Sequence, residues 1–312
     1  MRATDVRRVL TIMAVLALAC FAAGAGWKIA HRSSPAPAVA VDEQTVADHQ
    51  RIISLAPSIT EVLFALGLGD SVVGVTRYCD YPPEAAGKLK VGGYFDVNYE
   101  AVVAAEPDLV VLLEEHEQPR SYLARLKIET LTVDHSNVAG ILRSFQQIAD
   151  RTGTAGTARD MVSNLRMRME RIEQMTAGFE KPRVMVAVGR NMESGISGEV
   201  YVSGQDGYYD GLITMAGGVN AYDRSTLKFP ALSAEGVARL NPDVILEMAP
   251  DIDDETTARK ILEQWGSIPG VNAVRDDRIH LFTEDYSVVP GPRFIHLLEW
   301  MARAIQPEAG WE

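Results

Sequence analysis

Residues that commonly bind metals stand together at one place in the sequence, but their spacing does not make a site. Glu114, Glu115, His116 and Glu117 are consecutive, and Pro119 follows almost at once. A zinc site on a helix needs a second histidine about one turn away, and the sequence offers none there. We therefore expect a solvated loop at this stretch and no metal site in the chain.

Motifs for nucleophilic catalysis and phosphate binding are also incomplete. The stretch Gly195-Ile-Ser-Gly-Glu lacks the flanking glycines of a nucleophile elbow, and no Walker sequence or GxGxxG motif stands between a predicted strand and a helix. The six histidines are scattered, and we expect His135, which follows a predicted strand, to be a surface or cap residue. The sequence predicts no catalytic site and no resident cofactor, so we expect a protein that is not an enzyme.

Aromatic residues in the loops are more informative. Each stands beside glycine or proline in a segment predicted to follow a strand, and together they come from both halves of the chain: Tyr78, Tyr94, Phe95, Phe229 and Tyr286. In a doubly wound sheet such loops border the ligand crevice. Rigid rings bind flat, partly apolar ligands with little loss of conformational entropy. The pattern favours a binding cleft, and the alternative is that each ring packs on its own lobe.

Two glutamates occupy matching positions in a weak internal repeat. The stretch Asn98-Tyr-Glu-Ala-Val-Val-Ala-Ala-Glu-Pro-Asp aligns without gaps on Ser233-Ala-Glu-Gly-Val-Ala-Arg-Leu-Asn-Pro-Asp, so that Glu100 falls on Glu235. Each stretch predicts a cap, a short helix and the start of a strand, which indicates two lobes of related build. A carboxylate in the first turn gains about 0.3–1 kcal/mol from the helix dipole, so this pattern alone requires no further role.

One long amphipathic helix lies between the halves that contain these residues. Apolar residues recur at steps of three and four over 154–179, with charged residues between them: Met161, Leu165, Met169, Ile172, Met175 and Phe179. Such a helix can hold two lobes apart as a strut. An ordinary helix packed on a single sheet gives the same periodicity, so both interpretations stay open.

Short apolar strands alternate with helices on both sides of this helix, which predicts the α/β class. We expect two doubly wound lobes, 51–153 and 180–312, joined by the helix 154–179, with a ligand cleft between them. In the first helix of the first lobe, Ser58 and Glu61 stand in capping-box spacing directly after Pro57.

The acidic composition limits the partners. The 312 residues include 42 Asp and Glu against 30 Lys and Arg, for a formal net charge of −12. A surface of this sign repels phosphate backbones, so we expect no nucleic acid partner.

A targeting segment opens the chain. Arg2, Arg7 and Arg8 precede an uncharged apolar run from Val9 to Trp27, which predicts a signal peptide or membrane anchor over 1–27 and a flexible tether over 28–50. Three outcomes stay open: cleavage, lipidation at Cys20 within an imperfect lipobox, or retention as a spanning helix. All three place the remainder outside the cytoplasmic membrane. Cys79 is then left without a partner in the chain, so the fold depends on its core.

Longer stretches carry a family resemblance. Arg51-Ile-Ile-Ser-Leu-Ala-Pro-Ser-Ile-Thr-Glu-Val-Leu-Phe-Ala-Leu-Gly, then Val73-Gly-Val-Thr-Arg-Tyr-Cys-Asp-Tyr-Pro-Pro-Glu-Ala, then Pro107-Asp-Leu-Val resemble the solute-binding proteins of ABC importers for cobalamin and iron chelates. The similarity runs from about residue 51 to 305. It implies two α/β lobes joined by one long helix, with small opening motions.

The resemblance also implies roles for single residues. Tyr78 matches a cleft tyrosine, Tyr94 or Phe95 a cleft tryptophan, and Phe229 and the pair Asp285-Tyr286 match aromatic loops of the second lobe. Glu100 and Glu235 match the two glutamates that dock into arginine pockets on the permease dimer. Tryptophan is replaced by tyrosine or phenylalanine throughout, which leaves corrinoid, haem and siderophore ligands open.

The first hypothesis is therefore a monomeric extracytoplasmic solute-binding protein that delivers a bulky corrinoid or iron chelate to an ABC permease. Arg77 and Arg293 are candidates for binding ligand carboxylates or phosphate, although Arg293 can equally cap a helix or brace a lobe. A binder of free transition-metal ions is the second hypothesis, and an enzyme on the same scaffold the third.

Overall fold

The computed structural model describes residues 50–190, 199–224, 227–250 and 252–311. The predicted leader over 1–27 with Cys20, and all of the tether except Gln50, lie outside these residues. Within the described ranges no helix combines the length and apolar character needed to cross a membrane.

The first half is a five-stranded parallel sheet covered by helices. Its strands run in the order β3-β2-β1-β4-β5 and are β1 (Ile52–Ser54), β2 (Val72–Val75), β3 (Leu89–Lys90), β4 (Leu109–Leu113) and β5 (Thr130–Val133). Its helices are α1 (Pro57–Ala65), α2 (Pro83–Ala86), α3 (Tyr99–Ala104), α4 (Glu117–Arg125) and α5 (Val138–Thr152). The order reverses between β1 and β4, so a ligand crevice belongs at the carboxyl ends of these two strands.

The second half has a mixed sheet. The path β11-β10-β6-β7-β9, with β8 beside β6, pairs β6 in parallel with β8 and β10 but antiparallel with β7. These strands are β6 (Arg183–Arg190), β7 (Val200–Val202), β8 (Val219–Asn220), β9 (Ala231–Leu232), β10 (Val244–Met248) and β11 (Ile279–Phe282). The long helix α6 (Ala155–Thr176) connects the two halves. The helices of the second half are α7 (Tyr208–Met215), α8 (Ala234–Leu240), α9 (Glu255–Gly266), α10 (Asn272–Arg275) and α11 (Phe294–Ile305).

The two sheets begin with the same set of contacts. The Asp108 carboxylate accepts from the Arg51 amide at 3.2 Å, and the Asp243 carboxylate accepts from the Arg183 amide at 2.9 Å. The guanidinium of Arg51 donates to the carbonyl of Ala105, and that of Arg183 to the carbonyl of Leu240. Asp108 and Ala105 align with Asp243 and Leu240 in the sequence repeat. The related build of the two halves therefore extends to individual hydrogen bonds.

The long helix α6 packs against helices of both halves. Its buried residues Ala158, Leu165, Ile172 and Thr176 form one stripe. The same continuous hydrophobic core contains Phe145 of α5 from the first half, and Leu212 of α7 and Leu298 of α11 from the second. Packing on a single sheet is excluded by these contacts, and the predicted α/β class with a long connecting helix is confirmed. The limits of the two lobes, 51–153 and 180–312, stay a prediction.

The capping box predicted for α1 is wrong. Ala56 stands at the N-cap without any side-chain hydrogen bond to the helix. The Ser58 hydroxyl lies 2.8 Å from Nδ1 of His135, which is itself buried, so the expected surface or cap position of this histidine is also wrong. Glu61 is buried and pairs with Arg293. Both side chains form tertiary contacts, which local spacing does not reveal.

Candidate functional site

Tyr94 and Phe95 form an aromatic group at the carboxyl edge of the first sheet. They follow β3 in a turn that needs glycine, since Gly92 has a φ of +108° and a Cβ there would lie 2.5 Å from the Asp96 carbonyl oxygen. The two rings meet edge to face at 4.8 Å between centroids. The Tyr94 hydroxyl donates to Glu115 Oε1 at 2.7 Å. Burial, followed by the adjacent Glu115 carboxylate, raises the pKa of Tyr94 well above its ordinary value, so this phenol stays protonated.

The buried ring of His116 contacts the rings of both Tyr94 and Phe95. Its ring lies 4.5 Å from the Tyr94 centroid and 5.9 Å from that of Phe95. Nδ1 accepts from the Leu113 amide at 3.1 Å, which fixes the proton on Nε2. Burial lowers the pKa of His116 to about 4. The expected solvated loop is therefore wrong for this residue, although the flanking Glu114, Glu115 and Glu117 are exposed.

Arg77 and Tyr78 lie beside this group. The Arg77 guanidinium pairs with Asp96 at 2.7 Å, and both side chains are largely exposed. Its central carbon lies 5.7 Å from the Tyr78 ring centroid. Tyr78 is half-buried, so one part of the ring stays accessible. Arg77 thus has a partner on the surface, and a ligand anion would have to compete with Asp96 for it.

Arg293 connects the two halves. It donates to Glu61 at 2.6 Å and to Asp285 at 2.6 Å, with its side chain only 13% exposed. Its guanidinium carbon lies 3.9 Å from the Tyr81 ring centroid and 4.9 Å from that of Tyr286. Two tyrosines, one from each half, therefore contact this cation through their rings. These contacts brace the two halves, and Arg293 makes no side-chain cap hydrogen bond to the helix that follows it. Its role in ligand binding stays a prediction.

The charges of this cluster follow from burial and pairing. Burial raises the pKa of Glu61, and the hydrogen bond from Arg293 offsets part of the rise. Burial by itself lowers the pKa of Arg293, but Glu61 and Asp285 outweigh it and the pKa lies above the ordinary value. Glu61 Oε2, the Arg293 Nε, the Tyr208 hydroxyl and the Ser287 hydroxyl are buried without a hydrogen-bond partner among the described residues. A Cβ at Gly291 would lie 3.0 Å from Glu61 Oε2, so a larger residue there would press on this carboxylate.

The predicted aromatic residues divide into separate groups. Tyr286 also meets Phe282 at 5.3 Å and His296 at 6.2 Å between centroids. Phe229 lies 6.5 Å from the Tyr209 ring, whose hydroxyl donates to the Ser287 carbonyl at 2.7 Å. All five predicted rings are half-buried. Each ring therefore keeps part of its surface accessible, and their joint role as a cleft lining stays a prediction.

Glu100 and Glu235 occupy equivalent places on the two halves. Each is exposed in the first turn of its helix, α3 or α8, behind a capped N-terminus. The caps are the Asn98 side chain, which accepts from Ala101 at 3.1 Å, and the Ser233 hydroxyl, which accepts from Gly236 at 3.3 Å. Neither glutamate forms an ion pair or a side-chain hydrogen bond within the described ranges. Both carboxylates are free to meet a partner's cation.

Sequence reasoning missed a buried ion pair in the second half. Arg190, the last residue of β6, pairs with Glu247 of β10, and both side chains are at most 5% exposed. The indole of Trp265 donates to the same carboxylate, and the guanidinium lies 4.5 Å from the indole ring centroid. Arg190 ends the apolar pattern of β6. The sequence signal that could have revealed the buried pair is Glu247, a charged residue inside the otherwise apolar strand β10. In the part of the chain that the structure describes, no group of three or more His, Cys, Asp or Glu residues is placed to hold a metal ion.

The sequence matches the family described as "Periplasmic binding protein" over residues 52–286. The chain belongs to this family. Family membership places it among extracytoplasmic binding proteins and not among enzymes.

Two relatives illustrate the similarity in sequence. An uncharacterized ABC transporter substrate-binding lipoprotein of Bacillus subtilis, YvrC, is 29% identical over 267 residues, which are 83% of this chain and 81% of that protein. A vitamin B12-binding protein of Salmonella choleraesuis is 29% identical over 220 residues, covering 70% of this chain and 78% of the relative.

Solved structures share the fold. The periplasmic vitamin B12-binding protein of Vibrio cholerae superposes with a TM-score of 0.71 at 23% identity, over 85% of this chain and 99% of that chain. A periplasmic heme-binding protein of Pseudomonas aeruginosa gives a TM-score of 0.71 at 22% identity, over 83% and 94%. At these identities the likeness establishes the two-lobed α/β fold.

Proposed function

We propose that this protein captures a bulky corrinoid or an iron chelate, haem or a siderophore, and delivers it to an ABC importer. The observation that carries the proposal is the paired aromatic group of Tyr94 and Phe95, which follows β3 and contacts the buried His116 just after β4, one of the two strands at the switch point. Half-buried rings offer a face to a planar ligand while their other face is held in place. Relatives named for vitamin B12 binding support the same ligand class.

The remaining predicted residues complete this proposal. Tyr78, Phe229 and Tyr286 supply further aromatic surface, and Arg77 is the accessible cation for a ligand carboxylate or phosphate. Asp285 and Arg293 reach the ligand only if their mutual ion pair of 2.6 Å opens. Glu100 and Glu235 dock the protein on the two subunits of the permease, one carboxylate per lobe.

We further propose that the protein acts as a monomer and that its N-terminal segment targets or anchors it at the membrane. The lipoprotein relative YvrC supports lipidation at Cys20 as the mode of anchoring. Mass measurement of the mature N-terminus would distinguish a lipid-bearing Cys20 from a cleaved or retained leader.

Spectral titration tests the ligand class. The protein is mixed with cyanocobalamin, haemin and a ferric siderophore in turn, and the absorbance of each chromophore is followed to saturation. We expect one of the three to bind with a stoichiometry of 1:1 and without turnover. Binding of bare transition-metal ions in place of all three chromophores would overturn the proposal in favour of a metal carrier.

A further inference from the structure

An apolar groove runs beside Glu100 on the outer face of the first lobe. It has a volume of about 370 Å³ and lies between α3 and α4, lined by Tyr99, Glu100, Val103, Ala104, Tyr122 and Leu126. Its aromatic wall is rigid, because the rings of Tyr99 and Tyr122 stack at 4.0 Å between centroids with 29° between their planes. The Arg125 guanidinium lies 5.1 Å from the Tyr122 ring centroid and adds a further contact to that ring.

Large apolar side chains in this groove face solvent. Val103 is 49% exposed and Leu126 is 42% exposed. Exposed apolar surface that is grouped rather than scattered marks an interaction site in soluble proteins. Glu100 is the one ionisable carboxylate on the groove, and within the described ranges it has no ion-pair partner. The surface therefore suits an occupant that offers an apolar side chain and a cation next to each other.

The second lobe has no equivalent groove-forming residues at the matching positions. In the internal repeat Tyr99 aligns with Ala234, Val103 with Ala238 and Ala104 with Arg239. The two lobes thus share the docking carboxylate but differ in what surrounds it. A two-fold symmetric partner presents the same surface to both lobes, so its apolar side chain finds a complementary seat on the first lobe alone.

We propose that the groove beside Glu100 seats an apolar side chain of the permease's transmembrane subunit, next to the basic residue that pairs with Glu100. The inference rests on the proposed function, because the occupant is the same permease. It adds that docking is asymmetric: the first lobe contributes apolar burial together with the ion pair, and the second lobe contributes the ion pair without it.

The test compares two double variants of the full chain in its native host. Val103→Ser with Leu126→Ser removes apolar surface from the groove, and Leu89→Ser with Met167→Ser removes it from positions that are 49% and 58% exposed elsewhere. Association with the permease is measured by quantitative co-purification from detergent-solubilised membranes. We expect the groove variant to lose about ten-fold or more of its association, while the control variant and both melting temperatures stay unchanged. Unchanged association of the groove variant overturns the inference.

A photo-crosslinking amino acid at position 122 identifies the occupant. Crosslinks to a transmembrane subunit of an ABC importer support the inference, and crosslinks to a second copy of this chain or to another protein overturn it. Glu100→Ala with Glu235→Ala separates the two levels of the argument. If this variant loses association and the groove variant does not, the groove inference fails and the proposed function stands. If the glutamate variant keeps full association, the docking part of the proposed function fails.

Discussion

At the scale of single residues, the side chains that matter most make contacts that are distant in sequence. The spacing of Ser58 and Glu61 predicts a local cap, yet Glu61 pairs with Arg293, which lies 232 positions away. His116 is buried although its three flanking glutamates are exposed. The aromatic residues were predictable because glycine and proline mark their loops, whereas the partners of buried charges depend on tertiary packing that no local pattern encodes.

Ligand affinity is expected to depend on the aromatic pair. Replacing Tyr94 and Phe95 together by alanine removes both aromatic rings, so the dissociation constant for the chromophore that binds is expected to rise about ten-fold or more. Spectral titration measures it. Phe179→Ala, at a ring 36% exposed near the end of α6, is the control and leaves the affinity unchanged. Equal affinity of the double variant and the control would assign the two rings a purely structural role.

The stability of the fold is expected to depend on pH through His135. It is fully enclosed between Ser58 and Ser144, at 2.8 Å from each hydroxyl, and burial lowers its pKa from 6.5 to about 4. The unfolded chain takes up this proton near pH 6.5 and the folded chain only near pH 4. Stability is therefore complete above pH 6.5 and falls by up to about 3 kcal/mol as the pH drops towards 4.

Urea unfolding at pH 7, 5.5 and 4.5 measures this dependence. We expect His135→Gln to be less stable at pH 7 but to lose less stability between pH 7 and 4.5 than the parent chain does. His116 contributes in the same direction, because its pKa is also lowered to about 4. An identical pH slope in variant and parent would show that His135 does not contribute to the acid sensitivity.

Removing one partner of the ion pair between Glu61 and Arg293 is expected to lower the free energy of unfolding. Arg293→Ala leaves the buried Glu61 carboxylate unpaired and should destabilise the fold by about 3–5 kcal/mol. Glu61→Ala should cost less, because Arg293 keeps its ion pair with Asp285, and the double variant should lose less than the sum of the two. Urea unfolding at pH 7 gives these free energies. The exposed pair Arg151–Glu129, with side chains 45% and 46% exposed, is the matched control and should contribute about 0–1 kcal/mol. Strict additivity at Glu61 and Arg293 would contradict the coupling.

At the scale of elements, the long helix was predictable to within three residues at each end. The periodicity predicted 154–179 and the helix spans Ala155–Thr176, because apolar residues at steps of three and four are a local signal. What the helix packs against is not local. Its stripe meets α5, α7 and α11 in one core, and the antiparallel strand β7 in the second sheet likewise depends on pairing that the alternation of strands and helices does not specify.

The stripe on α6 gives a direct test of its packing. Leu165 is 6% exposed in the shared core, so Leu165→Ala should destabilise the protein by about 2–5 kcal/mol. Met167, two residues along the same helix, is 58% exposed, and Met167→Ala should stay within about 0.5 kcal/mol of the parent. Urea unfolding separates the two. Equal effects would mean that α6 is not held by this face.

At the scale of the whole molecule, the sequence shows the internal repeat only as a common combination of local signals. A cap, a helix and a Pro-Asp step recur in many α/β proteins. The structure adds the matched contacts of Arg51 with Asp108 and of Arg183 with Asp243. The helix ends correspond as well, since Glu106 and Asn241 align and have φ of 45° and 46°. This equivalence places Glu100 and Glu235 at corresponding positions on two related bodies.

Transport is expected to need both carboxylates, and ligand binding neither. Glu100→Ala with Glu235→Ala should keep the dissociation constant for the ligand unchanged and abolish its import, because exposed charges at two related sites register the protein on a two-fold partner. Uptake of the bound chromophore by cells and spectral titration of the purified variant give the two readings. A weakened ligand affinity would show that these residues lie in the binding site and not on the docking face.

The continuous core has a consequence for how this chain can be cut or recombined. Because α6 packs on helices of both halves in one core, a fragment ending after α5 would expose Phe145 and its neighbours to water, and a fragment beginning at β6 would expose Leu212 and Leu298. Each half keeps a smaller core cluster of its own, with Ile53 and Leu112 in the first and Ile245 and Trp265 in the second, but it loses the part of the core that α6 covers. An exchange of one lobe for that of a relative at a cut near residue 153 is therefore expected to leave the shared part of the core mismatched.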